Sequence, residues 1–335
     1  MYLWLVLIGV FLLSLLISRW MAGLKDHALL DQPIERSAHT VATPRGGGLA
    51  IVTSLTLWII SLQLTGFLST SELLILLCAI PVAVTGFIDD FRGLPVRARL
   101  PVHLLVAVTA LMLLGNPPLP TLLGLPVIAQ SVLLIIALVW LLNLYNFMDG
   151  IDGLAAAQCL FVSAGGAILL FDHHSGLAWV CVGLFVVTLG FLTVNLPPAK
   201  LFMGDVGSTF LGFFIGLLAL VTHYQEILPI WVWPLLMGSF VADTTYTLIV
   251  RAIAGHKITE GHSTHAFQHL SRRLGSHGPV VLMYMGINIL WLFPLAWLTT
   301  IYPEYGVLIT VSGIVPLMLI AAGLGAGKAE TLDHE

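Results

Sequence analysis

Residues 143–155 read NLYNFMDGIDGLA and bring two amides and two carboxylates together between two long apolar segments. The carboxylates, Asp149 and Asp152, are three residues apart, so they would share one face of a helix. A carboxylate at the edge of a membrane-spanning segment is costly unless it is paired or binds a metal ion. A helix cap needs only one polar residue, so this concentration of Asp and Asn beside two glycines indicates a functional site.

Composition places this segment in a membrane protein. The 335-residue chain is 58% hydrophobic and only 9% charged, with a mean hydropathy of +1.01. A soluble domain carries roughly 25% charged residues, so we expect one integral-membrane domain over residues 1–335. The three cysteines lie in apolar runs and are expected to be small buried hydrophobic residues.

A membrane-spanning helix needs about 20 mostly apolar residues. Applied along the chain, this rule predicts an all-α membrane helix bundle of about eleven spans. The predicted spans are residues 2–18, 48–68, 72–88, 100–115, 125–142, 154–171, 176–194, 207–223, 229–250, 279–300 and 304–324.

The positive charges predict an orientation for these spans. All 13 Lys and Arg residues fall between spans 1 and 2, 3 and 4, 7 and 8, or 9 and 10, or in the C-terminal tail. Positive residues mark the cytoplasmic side, so we expect the N-terminus outside and the C-terminus in the cytoplasm. Polar motifs occupy the loops of that same side, which predicts a single site built from residues 19–47, 89–99, 143–153, 195–206 and 251–278.

The end of span 3 contains two adjacent carboxylates, Asp89 and Asp90. On a helix they would point about 100° apart, so we expect different roles for them. One would meet a metal ion or act as a base while the other orients a neighbour. For the arginines Arg97 and Arg99 that follow, we expect only a contribution to topology.

Two glycine-rich loops suit metal or phosphate binding. Asp205 lies between Gly204 and Gly207 just before a predicted helix, which favours Mg²⁺ held jointly with substrate phosphate oxygens; a helix cap is the alternative. The loop HTVATPRGGG (residues 39–48) places three glycines after Arg45. It would surround a phosphate with N–H groups and a cation, or form a flexible turn.

The last loop contains GHSTHAFQHLSRR, residues 261–273. Its histidines His262, His265 and His269 have helical spacing and would line one face. Three histidines at this spacing suggest zinc, but the loop lacks the Glu of an HExxH motif, and the two arginines that follow favour phosphate. A solvated amphipathic helix is the alternative. Asp243, inside span 9, suits either packing or catalysis.

These clusters together predict phosphoryl transfer, in which positioning and charge neutralisation around Mg²⁺ supply most of the catalysis. The chain has no GxxxxGK[ST] sequence, which excludes a P-loop ATPase. The alternative is an ion-coupled membrane transporter using intramembrane Asp residues. It predicts midplane carboxylates and repeated halves, whereas only Asp243 lies well inside a span. A CDP-alcohol phosphotransferase would need a longer Asp-rich signature, which is absent.

Four motifs, GFIDDF, NLYNFMDGIDGLA, AKLFMGDVGS and HSTHAFQ, resemble in this order those of the polyprenyl-phosphate N-acetylhexosamine-1-phosphate transferases, bacterial glycosyltransferase family 4. The resemblance covers residues 30 to 325 approximately, and TPRGGG with residues 243–268 looks most like the O-antigen-initiating branch. It implies transfer of N-acetylhexosamine-1-phosphate from a UDP-N-acetylhexosamine to undecaprenyl phosphate, with release of UMP. That would be the first membrane step of O-antigen or another surface polysaccharide.

The resemblance also implies roles for the carboxylates and amides. Asp205 matches the Mg²⁺ ligand of the family, and Asp89, with Asp90 beside it, matches the aspartate that activates the lipid phosphate. Asn146 and Asp149 match positions beside the metal and the pyrophosphate. We therefore expect Asp149 to serve both in metal binding and in catalysis.

The remaining matches concern substrate binding. Asp152, Asn195 and Phe202 match uridine-binding positions, and His262 and His265 match the loop that holds phosphate and is counted with the catalytic residues. Further substrate contacts are expected from Arg45, Arg92, Lys200 and Gln268.

The chain departs from the branch at Ser263 and Phe267, where relatives often have Arg and Tyr, and at Arg92, where many have Lys. Arg keeps the charge of Lys but not its geometry, so the hexosamine is not fixed by these residues. The expected cofactor is Mg²⁺, with Mn²⁺ as a substitute. The expected partners are undecaprenyl phosphate, a UDP-N-acetylhexosamine, membrane lipid and a second copy in a homodimer, with no nucleic acid. The expected location is the bacterial inner membrane, with the active site facing the cytoplasm.

Overall fold

The computed structural model describes residues 2–24, 30–31, 42–115, 126–257 and 262–328. Part of the first predicted loop, including Lys25, Arg36 and His39, lies outside these ranges, as does Gly261 of the last loop.

Helices account for most of the described residues. They are α1 (Tyr2–Ala22), α2 (Gly48–Leu64), α3 (Thr70–Leu77), α4 (Ile80–Arg92), α5 (Val96–Leu114), α6 (Val127–Phe147), α7 (Leu154–Leu170), α8 (Ser175–Asn195), α9 (Asp205–Tyr224), α10 (Val232–Leu236), α11 (Gly238–Ile253), α12 (Ala266–Leu274), α13 (His277–Ile287), α14 (Phe293–Ile301) and α15 (Gly306–Gly323). A π-helical turn (Asn288–Leu292) joins α13 to α14, a 3-10 turn (Pro303–Tyr305) precedes α15, and β1 (Leu30–Asp31) pairs antiparallel with β2 (Thr43–Pro44).

The all-α class and the many apolar helices are confirmed, whereas the number of spans is not. Within the described ranges, eight helical segments are long and apolar enough to cross a membrane. Both α2 and α7 are apolar but shorter, with 17 residues each. The predicted span 229–250 is divided into α10 and α11. Eleven spans and the direction in which they cross remain predictions.

Polar side chains inside the bundle form hydrogen bonds at the break between α10 and α11. Gln158 of α7 donates from its amide nitrogen to the carbonyl oxygen of Leu236 at 2.8 Å. Its own amide oxygen accepts from Asn288 of the π-helical turn at 2.6 Å. Backbone groups released by a break in a membrane helix need such partners because lipid offers none.

The helix α9 lies at the centre of the bundle. Every residue from Val206 to Thr222 is buried, and the helix packs against α2, α4 and α6. Glycines allow the close approach: a Cβ at Gly212 would lie 2.4 Å from the carbonyl oxygen of Leu141 on α6. Small residues at such contacts are typical of helix packing in membranes.

The helices α2 and α4 approach the start of α9 closely. A Cβ on Gly48 of α2 would lie 2.1 Å from the Cα atom of Gly207, and one on Gly86 of α4 would lie 2.4 Å from the carbonyl oxygen of Asp205. The backbones are also hydrogen-bonded, since the N–H groups of Gly47 and Gly48 donate to the carbonyl oxygens of residues 202 and 203 at 2.9 and 2.8 Å. Those two N–H groups are therefore not directed at a phosphate, which corrects that part of the interpretation of residues 46–48.

This packing predicts that Gly86→Ala is destabilising although alanine favours helices. The added methyl group meets backbone atoms, which cannot rotate away, and overpacking of this kind costs about 1–3 kcal/mol. We expect a lower thermal unfolding midpoint in detergent than for wild type. The matched control is Gly9→Ala in α1, where an added Cβ meets nothing within 4 Å. Equal midpoints for the two variants would show that α4 and α9 are not packed this closely.

Candidate active site

The start of α9 is fixed by a buried carboxylate from α4. The two oxygens of Asp90 accept the backbone N–H groups of Asp205 and Val206 at 2.9 and 3.0 Å, and the residue is only 2% exposed. The first N–H groups of a helix have no partner within it, so Asp90 caps α9 from a neighbouring helix. Asp205 is thus not itself the cap, and Asp90 has the orienting role expected for one of the two adjacent aspartates.

The other aspartate, Asp89, enters an ion-pair network. Its oxygens accept from the backbone N–H of Leu94 and from the guanidinium of Arg99. The same Nη1 atom of Arg99 also donates to Oδ2 of Asp205 at 2.8 Å. Arg99 therefore bridges the two carboxylates, which corrects the expectation that it serves topology alone.

The sequence contains a signal that would have placed Arg99 in the site. Only residues 93–95 separate α4 from α5, and Gly93 adopts a positive φ of 66° that ends α4. Such a short connection returns the start of the next helix to the end of the previous one. Arg99 lies in the first turn and a half of α5, beside Asp89, whereas Arg97 is exposed.

The amide of Asn146 holds Asp205 from the opposite side. Its Nδ2 atom donates to Oδ1 of Asp205 at 2.8 Å and to the hydroxyl of Ser208 at 2.9 Å. Asn143 instead bonds back to its own helix, at the carbonyl oxygen of Val139. The Asp205 carboxylate therefore lies between a guanidinium and an amide, each bonded to a different oxygen.

The carboxylate of Asp149 lies in a loop rather than on a helix. The preceding helix ends at Phe147 and the next begins at Leu154, so the expected shared helical face of Asp149 and Asp152 is wrong. Burial, followed by the negative charges of Asp205, Asp90 and Asp152, holds the pKa of Asp149 well above its ordinary value. A bound cation would offset this concentration of negative charge.

Two residues that were expected to bind uridine, Asp152 and Asn195, form contacts that hold loops together in the structure. Asp152 accepts the backbone N–H of Ala199 at 3.1 Å, and its Oδ2 lies 3.1 Å from Nδ1 of His277 at the start of α13. Both residues of this contact are largely buried. These contacts make Asp152 a connector of three segments, so direct contact with uridine remains a prediction.

Asn195 has a similar supporting position. It is 3% exposed, its amide oxygen accepts the backbone N–H of Gly153 at 3.1 Å, and its amide nitrogen donates to the carbonyl oxygen of Leu201 at 2.9 Å. With both ends of the amide engaged by backbone, the geometry favours positioning of the loop over direct substrate contact.

The described part of the last loop, residues 262–273 (the histidine loop), packs against residues 143–155 (the central motif). The rings of His262 and His265 stack at 4.9 Å, and each lies 6.1 Å from the ring of Phe147. A Cβ on Gly150 would lie 2.8 Å from the ring of Phe267, so only glycine permits this approach. Because α12 begins at residue 266, the two histidines precede the helix instead of lining its face as expected.

The imidazole of His262 is uncharged at neutral pH. Burial, followed by the positive charge that His265 carries when it is protonated and by the charge of Arg251, lowers its pKa to about 3. The Nε2 atoms of His262 and His265 and Nε of Arg251 are buried without hydrogen-bond partners among the described residues. A phosphate with both protonated and ionised oxygens could donate to or accept from such nitrogens, and an unpaired buried donor or acceptor costs about 1–3 kcal/mol.

The other predicted binding residues surround this centre less closely. Arg45 is half-buried and its charge acts on Asp90, whereas Arg92 and Lys200 are exposed. Gln268 accepts the backbone N–H of His265 at 3.0 Å. Phe202 is half-buried.

The donor set suits Mg²⁺ that shares its ligands with substrate. Among the residues that the structure describes, no three His, Cys, Asp or Glu side chains form a metal-binding group by themselves. Mg²⁺ usually takes one or two carboxylates together with phosphate oxygens and water. Asp205 retains lone pairs beyond its two hydrogen bonds, and a cation would offset the negative charges around Asp149. The chemistry of both carboxylates is therefore compatible with this ion.

Fold and site together define a class: a multi-pass membrane protein with carboxylates, an arginine and histidines gathered around helix ends. The profile of "Glycosyl transferase family 4" matches residues 72–223. The chain is 29% identical over 270 residues to a probable undecaprenyl-phosphate N-acetylglucosaminyl 1-phosphate transferase of Bacillus subtilis (strain 168), covering 76% of this chain and 73% of that protein.

Two further relatives have a different printed name. A phospho-N-acetylmuramoyl-pentapeptide-transferase of Halalkalibacterium halodurans is 35% identical over 226 residues, covering 62% of this chain and 68% of that protein. The same enzyme of Thermodesulfovibrio yellowstonii is 30% identical over 282 residues, covering 72% and 75%. The chain belongs to the polyprenyl-phosphate hexosamine-1-phosphate transferase family and is an enzyme. The transporter hypothesis has no support from these relatives.

Crowding at Asp149 predicts that Asp149→Asn stabilises the metal-free protein. A raised pKa means that folding disfavours the ionised carboxylate, so this cost is present at high pH and fades as pH falls to the ordinary Asp range. In EDTA at pH 8 we expect a higher thermal midpoint than for wild type, and we expect the difference to shrink at lower pH. The measurement is the thermal midpoint against pH, with Asp172→Asn, an exposed carboxylate beyond the far end of α7, as control. A less stable Asp149→Asn protein at pH 8 would contradict the geometry.

Proposed function

We propose that this enzyme transfers N-acetylhexosamine-1-phosphate from a UDP-N-acetylhexosamine to undecaprenyl phosphate and releases UMP. The observation that carries the proposal is the bridge from Asp89 through Arg99 to Asp205, held by Asn146. This bridge joins the carboxylate of Asp89, the guanidinium of Arg99 and the candidate metal ligand Asp205 near the ends of the membrane helices. Family membership and the printed names of the relatives support the same chemistry.

In the proposed reaction, an oxygen of the lipid phosphate forms a bond to the β-phosphorus of the nucleotide sugar. The bond from that phosphorus to the bridging oxygen breaks, and the electron pair leaves with UMP. Asp89 would receive a proton carried by the lipid phosphate and hold its attacking oxygen. Arg99 would turn toward the pyrophosphate and offset its charge, since a planar guanidinium suits phosphate oxygens.

Asp205 and Asp149 would hold Mg²⁺, or Mn²⁺ in its place. When bound, the ion supplies charge neutralisation at the pyrophosphate and orientation of its oxygens. His262 and His265 would contact phosphate oxygens through their unpartnered Nε2 atoms. Asp152, supported by Asn195, would shape the uridine site together with Phe202.

Further side chains, Arg45, Arg92, Lys200 and Gln268, would surround the two anionic substrates. Exposed cations beside the carboxylates attract anionic substrates and raise the rate of their encounter.

The cellular setting follows from the charge pattern and the family. We propose eleven spans in one domain of the bacterial inner membrane, with the N-terminus outside and the active site facing the cytoplasm. The lipid product would begin an O-antigen or another surface polysaccharide, and two copies would pair in the membrane. Residues 43–48 (TPRGGG) and 243–268 support the O-antigen branch by resemblance, while the printed names of the relatives support the coarser reaction.

Asp205→Asn is expected to abolish UMP release with the protein still folded. The substitution keeps the shape but removes the charge of the candidate metal ligand, and EDTA should have the same effect on wild type. The measurement is UMP released from a panel of UDP-sugars by purified protein with undecaprenyl phosphate and Mg²⁺. Asp172→Asn, at an exposed position beyond the far end of α7, is the matched control. Near-normal turnover of Asp205→Asn would contradict the assignment of Asp205 as a metal ligand.

Arg99→Ala is expected to lower kcat/KM at least about tenfold, because loss of a charge-assisted contact costs about 1.5–3 kcal/mol and 1.4 kcal/mol is a factor of ten. Arg97→Ala, two residues away at an exposed position, removes the same charge from the same helix and should stay within about twofold, as a screened surface charge contributes little. Equal effects of both variants would reduce Arg99 to a general charge contribution.

A further inference from the structure

A second buried carboxylate lies behind the histidine loop. Asp243 of α11 is 2% exposed. Its carboxylate lies within hydrogen-bond distance of five groups: Thr247 Oγ1 at 3.2 Å, His265 Nδ1 at 3.3 Å, Ala266 N at 2.9 Å, Phe267 N at 3.1 Å and Tyr284 Oη at 2.7 Å. Two of these are the first backbone N–H groups of α12, so Asp243 caps that helix as Asp90 caps α9.

This set of partners determines which ring nitrogen of His265 carries the proton. An ionised carboxylate is an acceptor only, and both of its oxygens already receive backbone N–H groups that cannot act as acceptors. The Nδ1 atom of His265 must then be the donor to Asp243. In the neutral ring, Nε2 is left with a lone pair.

The Nε2 atom of His265 is buried and has no hydrogen-bond partner among the described residues. The ring is held between His262 at 4.9 Å and Phe267 at 5.6 Å, with Phe147 of the central motif at 6.1 Å. Rotation of the ring by 180° would break the contact with Asp243, because it would place the Cδ2 carbon where Nδ1 now lies. The arrangement therefore presents one defined atom to a ligand.

We propose that Asp243 is a positioning residue that fixes His265 in its Nδ1–H form, so that Nε2 takes up one proton from solvent when a phosphate binds and donates it to a phosphate oxygen. This inference rests on the proposed function. The proton comes from solvent and not from the lipid phosphate, whose own proton passes to Asp89; Nδ1 keeps its proton, and the imidazolium is balanced by the Asp243 carboxylate. Hydrogen bonds between charged groups are about twice as strong as neutral ones, so substrate is held more tightly than by a neutral ring.

The direct test is the tautomer of His265 in the full-length protein. Protein labelled with ¹⁵N at histidine rings is studied by NMR in detergent without substrate, and the His265 signals are assigned by their loss in His265→Gln. We expect protonated Nδ1 and bare Nε2 in wild type. The opposite tautomer in wild type would overturn the proposal, and this result does not depend on enzyme activity.

Asp243→Asn should shift the tautomer toward Nε2–H, because a neutral amide is a weaker acceptor for Nδ1–H than a carboxylate and its NH2 group can donate to Nδ1. We expect kcat/KM for UMP release to fall at least about tenfold, equivalent to loss of about 1.4 kcal/mol. Tyr284→Phe removes one donor to Asp243 but leaves the carboxylate, so it should retain the wild-type tautomer and most activity. A tautomer shift with unchanged kcat/KM, or full activity of His265→Gln, would refute the role in substrate binding. If wild type released no UMP with any donor, the proposed function would fail while the tautomer result still stood.

Discussion

The candidate site depends on the bond between the Asp90 carboxylate and the first N–H groups of α9. A carboxylate buried between membrane helices must be satisfied within the protein, and two backbone N–H groups at 2.9 and 3.0 Å meet that need. The same bonds determine where Asp205 begins its helix and which way its side chain faces. Glycines at residues 48, 86 and 207 let the backbones approach closely enough for this cap to form.

A second helix of the site is capped by a buried carboxylate in a similar way. Asp243 fixes the start of α12 and the ring of His265, while Asp90 fixes the start of α9. Between the two helices α6 and α7, Gly150 lies against Phe267 of α12, and the negative charges of Asp205 and Asp90 act on Asp149. The charged groups that we propose to contact substrate are thus held in place by the buried carboxylates Asp90 and Asp243. Such an arrangement would let electrostatic preorganisation act on the proposed phosphoryl transfer.

The sequence was sufficient for the membrane class, the family and the motifs, because composition and short motifs are local properties. Different roles for Asp89 and Asp90 also followed from helical geometry. The role of Arg99 did not, since it depends on how a three-residue connection returns α5 to α4. Extending helical spacing into residues 149–152 and 262–265 gave the wrong local structure, because both stretches lie outside helices. Spans shorter than 18 residues or divided in two left the count of eleven unconfirmed.

The proposed reaction requires that phosphorus, and not the sugar carbon, is the atom attacked. This requirement is tested by supplying UDP-N-acetylhexosamine labelled with ³²P at the β-phosphorus, together with undecaprenyl phosphate, and separating lipid from aqueous products. If phosphorus is attacked, the label enters the lipid fraction in equal amount to the UMP released. Label that stays in the water phase as UDP, with sugar alone on the lipid, would contradict it.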